Sequence, residues 1–330
     1  MKTHALAVAS LTLVAVGAVS LCLGPVTTPV RDVVAALTAL ATGREQSAAE
    51  ILITQIRLPR ILTCALVGGA LAVGGAAMQA VFRNPLAEPG ITGVGAGAAC
   101  VAVATIVTGL AATHPVLMSL GAFAGALLAT FLVQAVGSRG SNATLLLVGV
   151  ALNSFLGAVI AAMVANARDS EDARSAVFWL NGDLTGSTFA NVALVVGPVL
   201  LGSAGVVIHA RELNLFALGE ATAQSSGVAV KRVSHTVLAC AALATAGAVA
   251  TTGVISFVGL VVPHLIRLVA GADHRFLLPA SFLVGASFLI VADTAARMLF
   301  NPVILQTGVI TALIGAPFLL FLVLRGGRTV

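Results

Sequence analysis

The chain has 330 residues, 59% of them hydrophobic and 9% charged, with a mean hydropathy of +1.08. Soluble domains carry about 25% charged residues, and a water-soluble interior of this size cannot hide so much apolar surface, so the composition points to a polytopic membrane protein. The net charge of +5 does not indicate nucleic-acid binding: Lys2 and Lys231 are the only lysines, there is no Tyr, and no basic run is interleaved with aromatics.

Crossing the hydrocarbon core takes about 20 apolar residues. Ten stretches are candidates: 5–23, 61–82, 91–110, 115–136, 143–165, 191–209, 234–252, 256–269, 278–299 and 307–324. The first sits where a signal peptide would, but its length and the bulky Leu21 before Cys22 favour a retained helix. Segment 24–60 reads as a long outer loop, with Pro25, Pro29 and an apolar stretch at 33–40 suited to a short interfacial helix. Segment 166–188 reads as a second outer loop, acidic at Asp169, Glu171 and Asp172, with Phe178 and Trp179 as an interfacial aromatic anchor. The eighth stretch is short and contains Pro263. Cys22, Cys64, Cys100 and Cys240 are dispersed through apolar segments without a CxxC and read as packed thiols.

An even number of spans places both termini on one side. With that side cytoplasmic, ten Lys and Arg lie inside and seven outside, the bias expected of a membrane protein in this orientation. Residues 1–330 are thus read as a single transmembrane domain. Segment 210–233 is its longest inner loop and predicts two short helices, near 213–217 and 220–226, with Gly219 and Gly227 as stops. Helices this short are marginal alone in water, so they call for a partner surface or the underside of the membrane.

The sequence offers this conduit no engine. Neither lysine sits in a GxxxxGK[ST] phosphate-binding loop. Asp293 is the strongest intramembrane acid, and Arg297, four residues on in the favourable acid-first order, makes it a local ion pair near the outer end rather than a proton relay. His264 reads as a structural hydrogen-bonding group. No serine-protease-like GxSx[GA] site and no second intramembrane aspartate occur, which argues against an intramembrane protease.

Several stretches resemble one family. They are Gln55-Ile56-Arg57-Leu58-Pro59-Arg60, Asn84-Pro85-Leu86-Ala87-Glu88-Pro89-Gly90, Leu213-Asn214-Leu215 with Leu218-Gly219-Glu220-Ala221, Phe257-Val258-Gly259-Leu260-Val261-Val262-Pro263-His264, Asp273-His274-Arg275 and Gly315-Ala316-Pro317-Phe318. From about residue 50 to the C-terminus, their order and spacing are similar to the permeases of iron-siderophore, haem and vitamin B12 ABC importers (the FecCD/vitamin B12 type). The resemblance implies an all-α, type II importer permease of about ten transmembrane helices in the bacterial inner membrane, with both termini cytoplasmic. It also implies a second copy of the chain, two cytoplasmic ATPase subunits and a periplasmic or lipid-anchored substrate-binding protein. ATP and Mg belong to the ATPase partner, and this subunit is expected to hold no cofactor or metal and not to be an enzyme itself.

The resemblance further implies residue roles. Leu213, Asn214, Leu218, Gly219, Glu220, Ala221 and Gly227 fall on the cytoplasmic coupling helices. Glu220-Ala221 with Gly227 is similar to the EAA motif, its Gly one place later than in the general form. Arg57, Arg60 and Arg297 match outward-facing arginines that pair with acidic residues of the binding protein. Asn142 and Ala143 fall at the cytoplasmic gate, where the B12 importer has small hydroxyl residues. The expected cargo is an iron chelate, haem or a ferric siderophore. Cobalamin is the alternative, and an ion-coupled secondary transporter working alone is the rival from another class.

Overall fold

A computed structural model describes residues 2–137, 142–300 and 303–326. Every regular element among them is helical. The helices are α1 (Lys2–Cys22), α2 (Val30–Thr42), α3 (Ala48–Ile51), α4 (Leu58–Phe82), α5 (Val94–Val107), α6 (Leu110–Thr113), α7 (Pro115–Gly137), α8 (Asn142–Ala165), α9 (Ser170–Leu180), α10 (Phe189–Ile208), α11 (Ala210–Phe216), α12 (Glu220–Ser225), α13 (Val230–Thr252), α14 (Val258–Ala270), α15 (His274–Met298) and α16 (Thr307–Gly326). A π-helical turn, Leu52–Arg57, joins α3 to α4, so Ala48–Phe82 runs as one rod of 35 residues.

Seven helices are long and apolar enough to cross a membrane, and three shorter apolar ones, α5, α14 and part of α16, accompany them. Together they coincide with the ten stretches expected from hydropathy, and the chain is a multi-pass membrane protein. The span expected at 91–110 is shorter than read, and the eighth is short, as its sequence indicates. Helix α5 has 14 residues and α14 has 13, about 20 Å each at 1.5 Å per residue, too short to cross alone. The chain ahead of each is non-α backbone packed among other helices: a 3₁₀ turn at Pro89–Thr92 precedes α5, and Phe257, at φ 70°, precedes α14. Irregular backbone is tolerated in a membrane protein when protein rather than lipid surrounds it. Here Asn153 donates to the Gly90 carbonyl at 3.0 Å, and Gln79 donates at 3.1 Å to the Gly259 carbonyl in the first turn of α14, which Pro263 cannot serve.

Helix α4 is the axis. Its span is 83% buried, whereas that of α1 is 11% and that of α8 17%. Small residues allow this, since Gly68, Gly69, Ala70, Ala72, Gly74, Gly75, Ala76 and Ala77 let neighbouring backbones close in. Helix α14 comes closest, at Gly75 and Gly259, and α15 nearly as close, at Gly68 and Gly285, each pair backbone against backbone. Lys2 meets Asp273 at one end of α15 and Ser20 meets Thr294 near the other, so α1 and α15 run parallel. Arg60 at the head of α4 meets Asp293 near the tail of α15, so that pair is antiparallel.

The connecting segments hold more helix than a reading of loops suggests. Segment 24–60 contains α2, which buries Val33, Ala36 and Ala39. Segment 166–188 contains α9, capped by the Asp169 carboxylate, which accepts from the Glu171 and Asp172 N–H groups at 3.0 and 2.8 Å. The expected aromatic anchor is divided: Phe178 is exposed under the Arg174 guanidinium, 5.6 Å from its ring centroid, while Trp179 is half-buried.

Candidate coupling and docking sites

Two clusters of polar side chains lie at opposite ends of α15. At its C-terminal end stand the three arginines singled out by sequence. Arg60 donates through Nε and Nη2 to both oxygens of Asp293, at 2.8–3.1 Å. Arg297 donates through Nε to Asp293 Oδ2 at 3.1 Å and through Nη2 to Ser20 Oγ at 3.1 Å. Thr307 Oγ1 adds a third donor to Asp293 at 2.9 Å. Arg57 turns the other way, to the carbonyls of Leu21 and Val26 and to Thr28 Oγ1. The Arg57 and Arg297 guanidinium groups both reach Gly24, where a side chain would press against them.

The Asp293–Arg297 pair expected from spacing is present, and Arg60 joins it across 233 residues of sequence. The three arginines do not project outward as the resemblance implied. Each is 5–8% exposed and engaged within the chain. The cause is Asp293, together with the carbonyl oxygens at the end of α1, which satisfy donors that would otherwise seek water. Arg60 and Arg297 share one carboxylate and Arg57 has only neutral acceptors, so the cluster retains a positive excess just beneath the surface.

The other end carries α11 and α12. Here the seven residues assigned to coupling separate into anchors and presented groups. Leu213 is fully buried with Phe216 and Ala223 among side chains of α4, α10 and α13. Asn214 faces inward: Nδ2 donates to Asp273 Oδ1 and Oδ1 accepts from the His274 N–H, both at 2.8 Å. Leu218 is 65% exposed, and Glu220, Ala221 and Gly227 are exposed beside it. Gly219 and Gly227, at φ 106° and 84°, end the helices where expected, in backbone conformations that disfavour any other residue. Arg83, the residue after α4, lies 4.0 Å from Glu220, which brings the Asn84–Gly90 signature next to α12.

Asp273 joins three elements. Its Oδ2 accepts from Lys2 Nζ at 2.7 Å, and its Oδ1 accepts from Asn214 and from the Arg275 N–H that it caps. The Lys2 ammonium, then the Asn214 amide and the Arg275 N–H, hold this carboxyl well below the usual carboxylate range. A depressed carboxyl contributes stability that is present above its unfolded pKa and is lost only as pH falls through the folded value. The contact therefore persists throughout the neutral range. At the assigned gate, Ala143 is exposed near the start of α8, whereas the Asn142 side chain lies outside the described residues.

The profile of the FecCD transport family matches residues 12–325. The cobalamin import system permease protein BtuC of Halobacterium salinarum is 46% identical over 281 residues, covering 83% of this chain and 73% of that protein. The hemin transport system permease protein HmuU of Yersinia pestis is 40% identical over 282 residues, covering 82% of each. A solved structure described as an inward-facing conformation of a metal-chelate type ABC transporter superposes with a TM-score of 0.83 at 31% identity, over 98% of this chain and all of the other.

Proposed function

Because the chain belongs to the FecCD transport family, that is, to the permeases of ABC importers, we propose that it forms half of a translocation pathway for a bulky metal chelate across the bacterial inner membrane. The observation that carries this reading is the exposed Leu218–Gly227 surface, an apolar and acidic patch held on buried anchors at the end of the bundle that also bears the N-terminus. Two cytoplasmic ATPases dock there, ATP and Mg reside in those partners, and both termini face the cytoplasm. A second copy of the chain completes the pathway. Helices α8 and α16 leave Leu147, Val150, Phe155, Leu313, Ile314 and Leu320 exposed for that copy and for lipid.

The substrate-binding protein docks at the arginine end. Positive excess over Arg57, Arg60 and Arg297 attracts acidic groups from a partner and fixes its register, so the arginines act through the field they leave at the rim. Asn142 and Ala143 stand at the cytoplasmic gate. The first reading of the cargo is an iron chelate, haem or a ferric siderophore. Cobalamin is the second, and the 46% identical halobacterial relative favours it.

Reconstitution with the cognate ATPase and binding protein tests the cargo. Haem, ferric siderophores and cobalamin are each supplied on the binding protein, and one of them is expected to stimulate ATP hydrolysis. Stimulation by none of the three contradicts the metal-chelate reading. Glu220→Ala probes the coupling surface. The side chain is half-exposed and its one ion pair among the described residues is long, so stability is expected to stay within about 0.5 kcal/mol by thermal unfolding, while ATP-driven uptake falls. Uptake equal to wild type would remove Glu220 from the contact.

A further inference from the structure

We propose that Asp273 is the positioning residue through which the coupling loop grips the membrane bundle, with α15 carrying the displacement of that loop to the arginine cluster at the opposite end. The inference rests on the reading of Leu218–Gly227 as the ATPase contact, and it assigns how that contact reaches the rest of the molecule.

One carboxylate gathers three separate elements. Asn214 of α11 and His274 of α15 share a reciprocal clamp, in which one amide both donates to Asp273 and accepts from the His274 N–H. Lys2 of α1 occupies the second Asp273 oxygen. The remaining hold on α11 comes from Leu213 and Phe216, apolar contacts that fix depth but not direction. The polar clamp is directional, so a push on α12 and α11 is transmitted along the bonds at Asp273 rather than dissipated by sliding.

From Asp273, α15 runs along the bundle, reaching Asp293 after about 30 Å and Arg297 after about 36 Å. Over that length it is pressed against α4 at Gly68 and Gly285, and Gly69 lies against the Phe282 ring. Close-packed helices shift as units rather than compress. The far end of α15 carries the carboxylate that holds Arg60 of α4. One helix therefore has a polar clamp to the coupling loop at its head and the ion cluster of the docking rim at its tail. Coupling claims require a demonstrated dependence between the two ends, and the clamp supplies a chemistry by which to test it.

The experiment uses the full complex of permease, ATPase and binding protein in lipid. In Asp273→Ser a hydroxyl replaces the helix-capping carboxylate, but it is too short to hold Asn214 and Lys2 together. The complex is expected to assemble and to hydrolyse ATP at the wild-type basal rate, while stimulation by the loaded binding protein falls about five-fold or more. Asn214→Asp alone sets two carboxylates against each other and is expected to lose stimulation. Because the readout is the ratio of stimulated to basal hydrolysis, a loss of folded protein does not mimic the effect. Undiminished stimulation in Asp273→Ser or in Asn214→Asp overturns the proposal. Absence of stimulation in the wild-type complex would instead count against the permease reading on which the proposal stands.

Discussion

Replacing Asp293 with Ala is expected to destabilise the protein by about 3–5 kcal/mol, the range for removing one partner of a buried ion pair. The carboxylate is 1% exposed and accepts hydrogen bonds from Arg60, Arg297 and Thr307. Without it, the buried Arg60 and Arg297 guanidinium groups keep their charge and lose the carboxylate to which both donate, with the Arg57 guanidinium close beside them. Arg297→Leu is expected to cost much less, because Asp293 keeps Arg60 and the positive excess falls. The double variant D293A/R60L is expected to recover part of the loss, since it removes one of the stranded cations. Thermal unfolding in a fixed detergent measures all three. A D293A protein as stable as wild type would mean that the cluster is open to water and its charges are solvated.

Placing a methyl group at Gly68 is the second large effect. In Gly68→Ala the new carbon would overlap the Gly285 carbonyl and the Leu289 side chain, and in Gly285→Ala it would overlap Gly68. Overpacking a well-filled interior costs about 1–3 kcal/mol. Here the obstacle is backbone rather than a movable side chain, so the upper part of that range or more is expected. Gly157→Ala and Gly197→Ala are the controls. Both sites are helical with open space around the added carbon, and removing a helix-interior glycine is expected to stabilise by about 0.5–1 kcal/mol. Equal behaviour of Gly68→Ala and Gly157→Ala would contradict the tight α4–α15 contact and, with it, the role given to α15 as a strut.

The two ends of the molecule differ in how far the sequence foretold them. Hydropathy located the membrane segments, because lipid demands about 20 apolar residues whatever the tertiary arrangement. It overextended α5, because apolar composition does not separate helix from irregular backbone that protein surrounds, and Pro89–Thr92 occupies such a place; the eighth stretch was already short in the sequence, and α14 follows it to within two residues. The Asp293–Arg297 pair was visible as an i, i+4 spacing. Arg60 was not visible as its partner, since nothing local marks a contact across 233 residues. For the same reason the three arginines were read as facing outward. In the coupling loop the helix stops at Gly219 and Gly227 were legible from residue type. Which face turns inward was not, because α11 has seven residues, two turns at most, too few for periodicity to separate Asn214 from its neighbours. Asn214 therefore read as a partner contact, whereas its amide is spent on Asp273 and His274. The Asp169 cap was overlooked although its signal was present: an Asp followed by Glu171 and Asp172 is a common start to a helix.

The proposed permease moves substrate only when a separate ATPase drives it. The direct measurement is uptake of the labelled chelate into proteoliposomes holding the full complex, with proton and sodium gradients collapsed by ionophores. Accumulation is expected with ATP on the ATPase side and none without it, and the permease alone is expected to be silent under an imposed proton or sodium gradient. Accumulation by the isolated permease under either gradient, with no ATPase present, would contradict the account.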